Sequence, residues 1–133
     1  MTKEFVVDRL LVRQFATREE MGRAAAGAVR EQLLETLARK KEANVLFAAA
    51  PSQNELLSAL AAAPDVPWER VNAFHMDEYV GLAEDAPQGF GNFLRRSIFE
   101  ELPFRSVSYL RGGAEDLEAE CRRYAAALQT HPL

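Results

Sequence analysis

Three observations together predict an α/β fold with a doubly wound parallel sheet. Short apolar runs alternate with amphipathic stretches of ten or more residues, the pattern of strands joined by helical crossovers. One of those runs, Val45 to Ala49, is continuously apolar, as strands covered on both faces of a parallel sheet are. The chain has 133 residues, 48% of them hydrophobic and 27% charged, which suits one folded unit over 1–133 rather than a disordered or multidomain chain. The architecture expected is a three-layer, Rossmann-like arrangement of helices on both sides of a sheet.

The elements follow in order. Leu10 to Phe15 reads as the first strand. Thr17 with Glu20 three residues later forms a capping box, and opens a helix from Arg18 to about Lys41. Its apolar positions, Met21, Ala24, Ala25, Ala28, Val29, Leu33, Leu34 and Leu37, form one stripe. Arg39, Lys40 and Lys41 at its end suit the negative pole of the helix. After the Val45–Ala49 strand, Pro51 breaks the run, and Ser52 with Glu55 forms a second capping box for a helix reaching about Ala62. Pro64 and Pro67 enclose a loop anchored by Trp68. Val71 to His75 is the next strand, and a loop runs from Met76 to about Gly89. A helix with Phe93, Leu94, Ile98, Phe99 and Leu102 ends at Pro103. Val107 to Leu110 is extended, Arg111-Gly112-Gly113 is a turn, and a last helix covers about Glu115 to Gln129.

Charge and cysteine content narrow the function classes. Sixteen basic against twenty acidic residues give a formal charge of -4, which argues against a nucleic-acid partner. Residues 1–66 carry nine charges of each sign, so the acidity lies in the second half, and it is mild enough to read as solubility. A lone cysteine, Cys121, cannot close an internal disulfide, and it reads as structural. No stretch approaches the roughly 20 apolar residues of a membrane helix. A cytoplasmic protein with no membrane partner is the expectation.

Ligands of open α/β sheets bind beyond the carboxyl ends of the strands, and two segments there carry chemistry. In Ala48 to Glu55, small residues and a helix start could hold an anion, with the Ser52 hydroxyl as a donor; a simple capped helix is the alternative. In Phe74-His75-Met76-Asp77-Glu78-Tyr79-Val80-Gly81-Leu82, two adjacent carboxylates follow a buried strand. A carboxylate at that rim can serve as a general base; equally, Asp77 can cap the turn while Glu78 is solvated. His75 is expected to pack on its strand, and the Arg95-Arg96 pair to face solvent. No metal-ligand spacing, nucleophile elbow or cofactor motif is visible, so neither metal nor cofactor is expected.

The string Met76-Asp77-Glu78-Tyr79-Val80-Gly81-Leu82 resembles the signature of the glucosamine-6-phosphate deaminase/isomerase family. Ala43 to Leu60, Pro87 to Phe104 and Gly112 to Tyr124 are similar to the segments around it there. The resemblance implies a phosphorylated amino sugar as partner. It implies Asp77 as the base that moves a proton from C2 to C1, with Glu78 beside it. The turn Ala49, Ala50, Ser52, Gln53 would hold the phosphate. Two departures stand out. The family turn usually carries glycines, whereas Ala49-Ala50-Pro51-Ser52-Gln53 has two alanines and a proline without an N–H. A later strand with a GHxAFN-like string has no counterpart before Leu133. A truncated sheet, incomplete as a catalyst, is therefore expected, either homo-oligomeric or missing a C-terminal half. Two other functions compete with this one: a non-catalytic sugar-phosphate-binding module and a 6-phosphogluconolactonase-type hydrolase.

Overall fold

A computed structural model describes residues 2–133. Its centre is a three-stranded parallel sheet, and helices lie on both faces. The chain begins with an antiparallel hairpin of β1 (Lys3–Val7) and β2 (Leu10–Gln14), in which Val7 faces Leu10 and Lys3 faces Gln14. Asp8 makes the two-residue turn with φ of 54°, a left-handed conformation that Asp tolerates better than most residues. Arg13 and Glu4, opposite each other across the ladder, pair at 2.8 Å. The first strand expected from sequence thus exists, but it pairs with β1 and takes no place in the parallel sheet.

Helix α1 (Arg18–Arg39) opens as expected, with the Glu20 N–H donating to Thr17 Oγ1 at 3.1 Å. Its buried positions are Gly22, Ala26, Leu33 and Leu37, so the stripe is rotated from the expected one and Met21 is exposed. Gly22 explains the rotation. It sits where α1 crosses α2 (Asn54–Ala61), and a Cβ there would lie 2.5 Å from the Cβ of Glu55. At the other end of α1, Arg70 supplies the cap. Its guanidinium donates to the carbonyls of Leu37, Lys40 and Lys41 at 2.7–2.9 Å, a long-range partner for orphan C=O groups and for the helix dipole.

The sheet runs β3 (Ala43–Phe47), β4 (Val71–His75), β5 (Ser106–Ser108), in sequence order. Phe47 is in register with His75, and Phe74 with Ser108. Observed β3 begins and ends two residues earlier than expected, and β4 has the expected bounds. Every residue of β4 is buried. On one face, Val71 and Ala73 meet Leu57 and Leu60 of α2 and Leu94, Ile98 and Phe99. Phe47, Phe99 and Phe104 pack edge to face at 5.4–6.0 Å, and Trp68 leans on Phe104 at 5.0 Å. On the other face, Phe74 meets Tyr124 of α4 (Leu117–Thr130) at 5.9 Å. Buried Asn72 is satisfied across the sheet by Glu42, Asn44 and Ser106.

The helix after the long loop is α3 (Phe90–Leu94), which passes directly into a π-helical turn, Arg95–Phe99. There the Glu100 N–H reaches the Arg95 carbonyl at 3.0 Å. The expected cap by Ser52 is not formed. Pro51–Gln53 is a short 3-10 turn without a side-chain cap, and Glu55 instead holds Arg18 through two 2.8 Å bonds.

Candidate functional site

The carboxyl ends of β3 and β4 lie side by side. The ladder extends one step past the strands, since the Met76 N–H donates to the Phe47 carbonyl at 3.0 Å. The two segments singled out from sequence therefore leave neighbouring strand ends. In the first, Ala49 is buried, Ala50 is fully extended, Ser52 is exposed and Gln53 is half-buried. The Gln53 N–H closes the turn on the Ala50 carbonyl at 2.9 Å, and Arg18 donates to the Pro51 carbonyl at 3.0 Å.

The second segment treats its two carboxylates differently. Glu78 turns inward. Its Oε1 accepts from the N–H groups of Tyr79 and Phe90, and its Oε2 from Gly91, each at 2.9 Å. Phe90 and Gly91 begin α3, so Glu78 supplies the cap that Gly89 cannot. Burial alone would raise this carboxyl, but the three N–H donors and the nearby His75 hold it below the ordinary glutamate value. Asp77 is exposed at the loop rim, and among the described residues its side chain has no hydrogen-bond or ion-pair partner.

Buried His75 links three segments. The Leu110 N–H donates to its Nδ1 at 3.2 Å, which leaves the neutral ring's proton on Nε2, 3.5 Å from Glu78 Oε2. Tyr124 donates from above to the His75 carbonyl at 2.6 Å. Desolvation lowers the His75 pKa despite the nearby Glu78 and Asp77 carboxylates. The folded protein thus takes up this proton less readily than the unfolded chain. Stability is expected to fall as pH drops below about 6.5, the unfolded histidine value. Urea midpoints at pH 7 and pH 5 should differ, and His75→Gln should narrow that difference.

The loop is also clasped from outside. The Gly81 N–H donates to the Gly112 carbonyl at 2.9 Å, and Gly112 sits against Tyr79 so closely that a Cβ would fall 1.9 Å from the Tyr79 carbonyl oxygen. Glu120 holds the adjoining turn by accepting from the Arg111 N–H at 2.9 Å while pairing with Arg123. The Arg123 bond, outweighing burial, pulls the Glu120 carboxyl down to about 2.

Between the loop and this turn lies a cleft of about 780 Å³ lined by Glu78, Tyr79, Asn92, Arg95, Tyr109 and Arg111 among others. No local pattern in the sequence marks it, because its walls come from segments up to 45 positions apart. Arg96 faces solvent as expected, but Arg95 turns inward over the Tyr109 ring at 4.8 Å. Cys121 is exposed on α4 rather than part of the packing. Among the described residues no cluster of His, Cys, Asp or Glu could hold a metal ion.

A family model for glucosamine-6-phosphate isomerases/6-phosphogluconolactonase matches residues 16–132. The chain belongs to that family. The glucosamine-6-phosphate deaminase of Aeromonas salmonicida (strain A449) is 40% identical over 77 residues, 56% of this chain and 29% of that protein. A monomeric glucosamine-6-phosphate deaminase superposes with a TM-score of 0.78 at 24% identity, covering 89% of this chain and 49% of that one. A 6-phosphogluconolactonase from Shewanella baltica OS155 superposes at 0.77 with 18% identity, covering 89% and 50%. The chain thus spans about half the length of these structures, and the glucosamine-6-phosphate isomerase/6-phosphogluconolactonase fold accounts for its sheet and helices. No helix of the described residues is long and apolar enough to cross a membrane.

Proposed function

We propose that this chain is the N-terminal part of an amino-sugar-phosphate isomerase/deaminase, with Asp77 as the proton-transferring base. The carrying observation is the sorting of two adjacent carboxylates: Glu78 is tied to three backbone N–H groups, while Asp77 is exposed at the end of β4, its side chain without a partner among the described residues. Isomerisation needs a carboxylate free to meet a C–H bond. Asp77 removes the proton from C2 of the open-chain sugar, giving an enol-type intermediate, and returns it to C1. Water then replaces the nitrogen at C2, which leaves as ammonia. The Ala49–Gln53 turn holds the phosphate through backbone N–H groups and the Ser52 hydroxyl, and Glu78 positions the loop. The deaminase relative at 40% identity supports this substrate class over the lactonase, whose 18% identity speaks for the fold.

Proton transfer and full turnover separate experimentally. The 133-residue chain is expected to release little ammonia from glucosamine 6-phosphate, because the rest of the sheet is needed to complete the site. Exchange of the C1 proton of fructose 6-phosphate in D2O, followed by NMR, isolates the base. Asp77→Asn should slow that exchange at least ~100-fold. Exchange untouched by the substitution would remove Asp77 from the role. Saturable phosphosugar binding that survives Asp77→Ala, without exchange, would identify a non-catalytic binding module instead.

A further inference from the structure

We propose that the cleft between the 79–92 segment and the turn after β5 is an anion-binding site in its own right, taking a phosphate or phosphate monoester between Arg95 and Arg111. The site goes beyond the isomerase reading and does not depend on it. None of Ala49, Ala50, Ser52, Gln53 or Asp77 lines this cleft, so it is separate from the turn that holds the substrate phosphate in that reading.

The arginines of the cleft differ in whether a carboxylate already pairs with them. Of its three arginines, Arg123 is neutralised by Glu120 and also donates to the Tyr109 carbonyl. Arg95 and Arg111 have no carboxylate partner among the described residues. Arg95 is the sharper case. Its Nε is buried without a hydrogen-bond acceptor, and its guanidinium lies over the Tyr109 ring. A desolvated guanidinium N–H without an acceptor is costly, and the planar fork is suited to two oxygens of a phosphate. Of the carboxylates on the walls, Glu78 has both oxygens occupied by backbone N–H groups and pairs with neither arginine, and Glu84 is exposed and pairs with neither. Two guanidinium groups thus face the cleft with no carboxylate within ion-pair distance among the described residues, and its volume of about 780 Å³ admits more than a bare ion. The π-helical turn that begins at Arg95 is itself a feature frequently found at functional sites.

Titration of the 15N-labelled 133-residue chain with inorganic phosphate at low ionic strength tests the site. Saturable shifts are expected at the amides of Tyr109 to Gly113 and at the Arg95 side chain. Arg111→Gln, an exposed position whose side chain has no partner among the described residues, should weaken binding about tenfold, as should Arg95→Gln. Arg95→Lys should restore part of the loss, and Arg122→Gln, an exposed change outside the cleft, should leave the midpoint at these amides unchanged. A parallel titration with glucose 6-phosphate separates the two sources of the ligand: tighter binding than phosphate assigns a monoester, equal or weaker binding a free phosphate. No saturable shift, or shifts confined to Ala49–Gln53 and indifferent to Arg111→Gln, would overturn the proposal.

Discussion

Gly112→Ala is expected to destabilise the fold by about 2–4 kcal/mol, measured as a lowered urea midpoint with unchanged slope. The new methyl would fall 1.9 Å from the Tyr79 carbonyl oxygen and 2.9 Å from its carbon. Both obstacles are backbone, so neither can swing aside as a side chain would. Relief requires the 79–81 segment and the 111–113 turn to part, which also breaks the Gly81 N–H bond to the Gly112 carbonyl. Amide hydrogen exchange at Gly81 should therefore accelerate more than exchange in β4. Uniform acceleration across the chain would mean that the clasp is not a local device.

Glu78→Ala should cost a similar amount, about 2–4 kcal/mol, because it strips an ionised acceptor from three N–H groups at once. Glu78→Gln is the informative companion. Its oxygen can still accept from two of the donors, but its NH2 would confront the third, so roughly half the loss is expected. The pH dependence gives a second reading. A carboxyl held below its ordinary value contributes stability that is present above the unfolded glutamate value, near 4.5, and is lost as pH falls toward the folded one. Thermal melts at pH 5 and pH 3.5 should converge between wild type and Glu78→Gln as the native carboxylate takes up its proton. Persistence of the full difference at low pH would show that the side chain acts through packing.

Particular residues show how far the sequence could be read. Val71 to His75 was legible to the residue, because a strand buried on both faces has no room for an ambiguous pattern. The Thr17–Glu20 cap was equally readable, being a contact between near neighbours. The Ser52 cap failed for the opposite reason. Glu55 is drawn to Arg18, 37 positions away, and nothing local announces that. The hairpin escaped notice because Asp8-Arg9 lacks the Gly or Asn that usually marks a two-residue turn. At the site, position was legible and role was not. Asp77 and Glu78 are chemically near-identical neighbours, and only the arrival of the N–H groups of Phe90 and Gly91 separates them. The inward turn of Arg95 was hidden for a related reason, since it depends on how the helix is wound rather than on what flanks it in the chain.

That winding has a consequence for insertions and deletions. Between Arg95 and Glu100 the helix closes a hydrogen bond across five residues, so it carries one residue more than its ladder needs. Removing one residue between Arg95 and Glu100 would turn that bond into an ordinary α-helical one, with the same N–H on the same carbonyl, so Glu100 and the chain after it would keep their places. Phe99 would keep its place against Phe47 and Phe104. The extra residue within 95–99 is therefore slack in the helix, and a single-codon deletion there should be tolerated better than one in the middle of α1, where every later side chain of the helix would turn by about 100°.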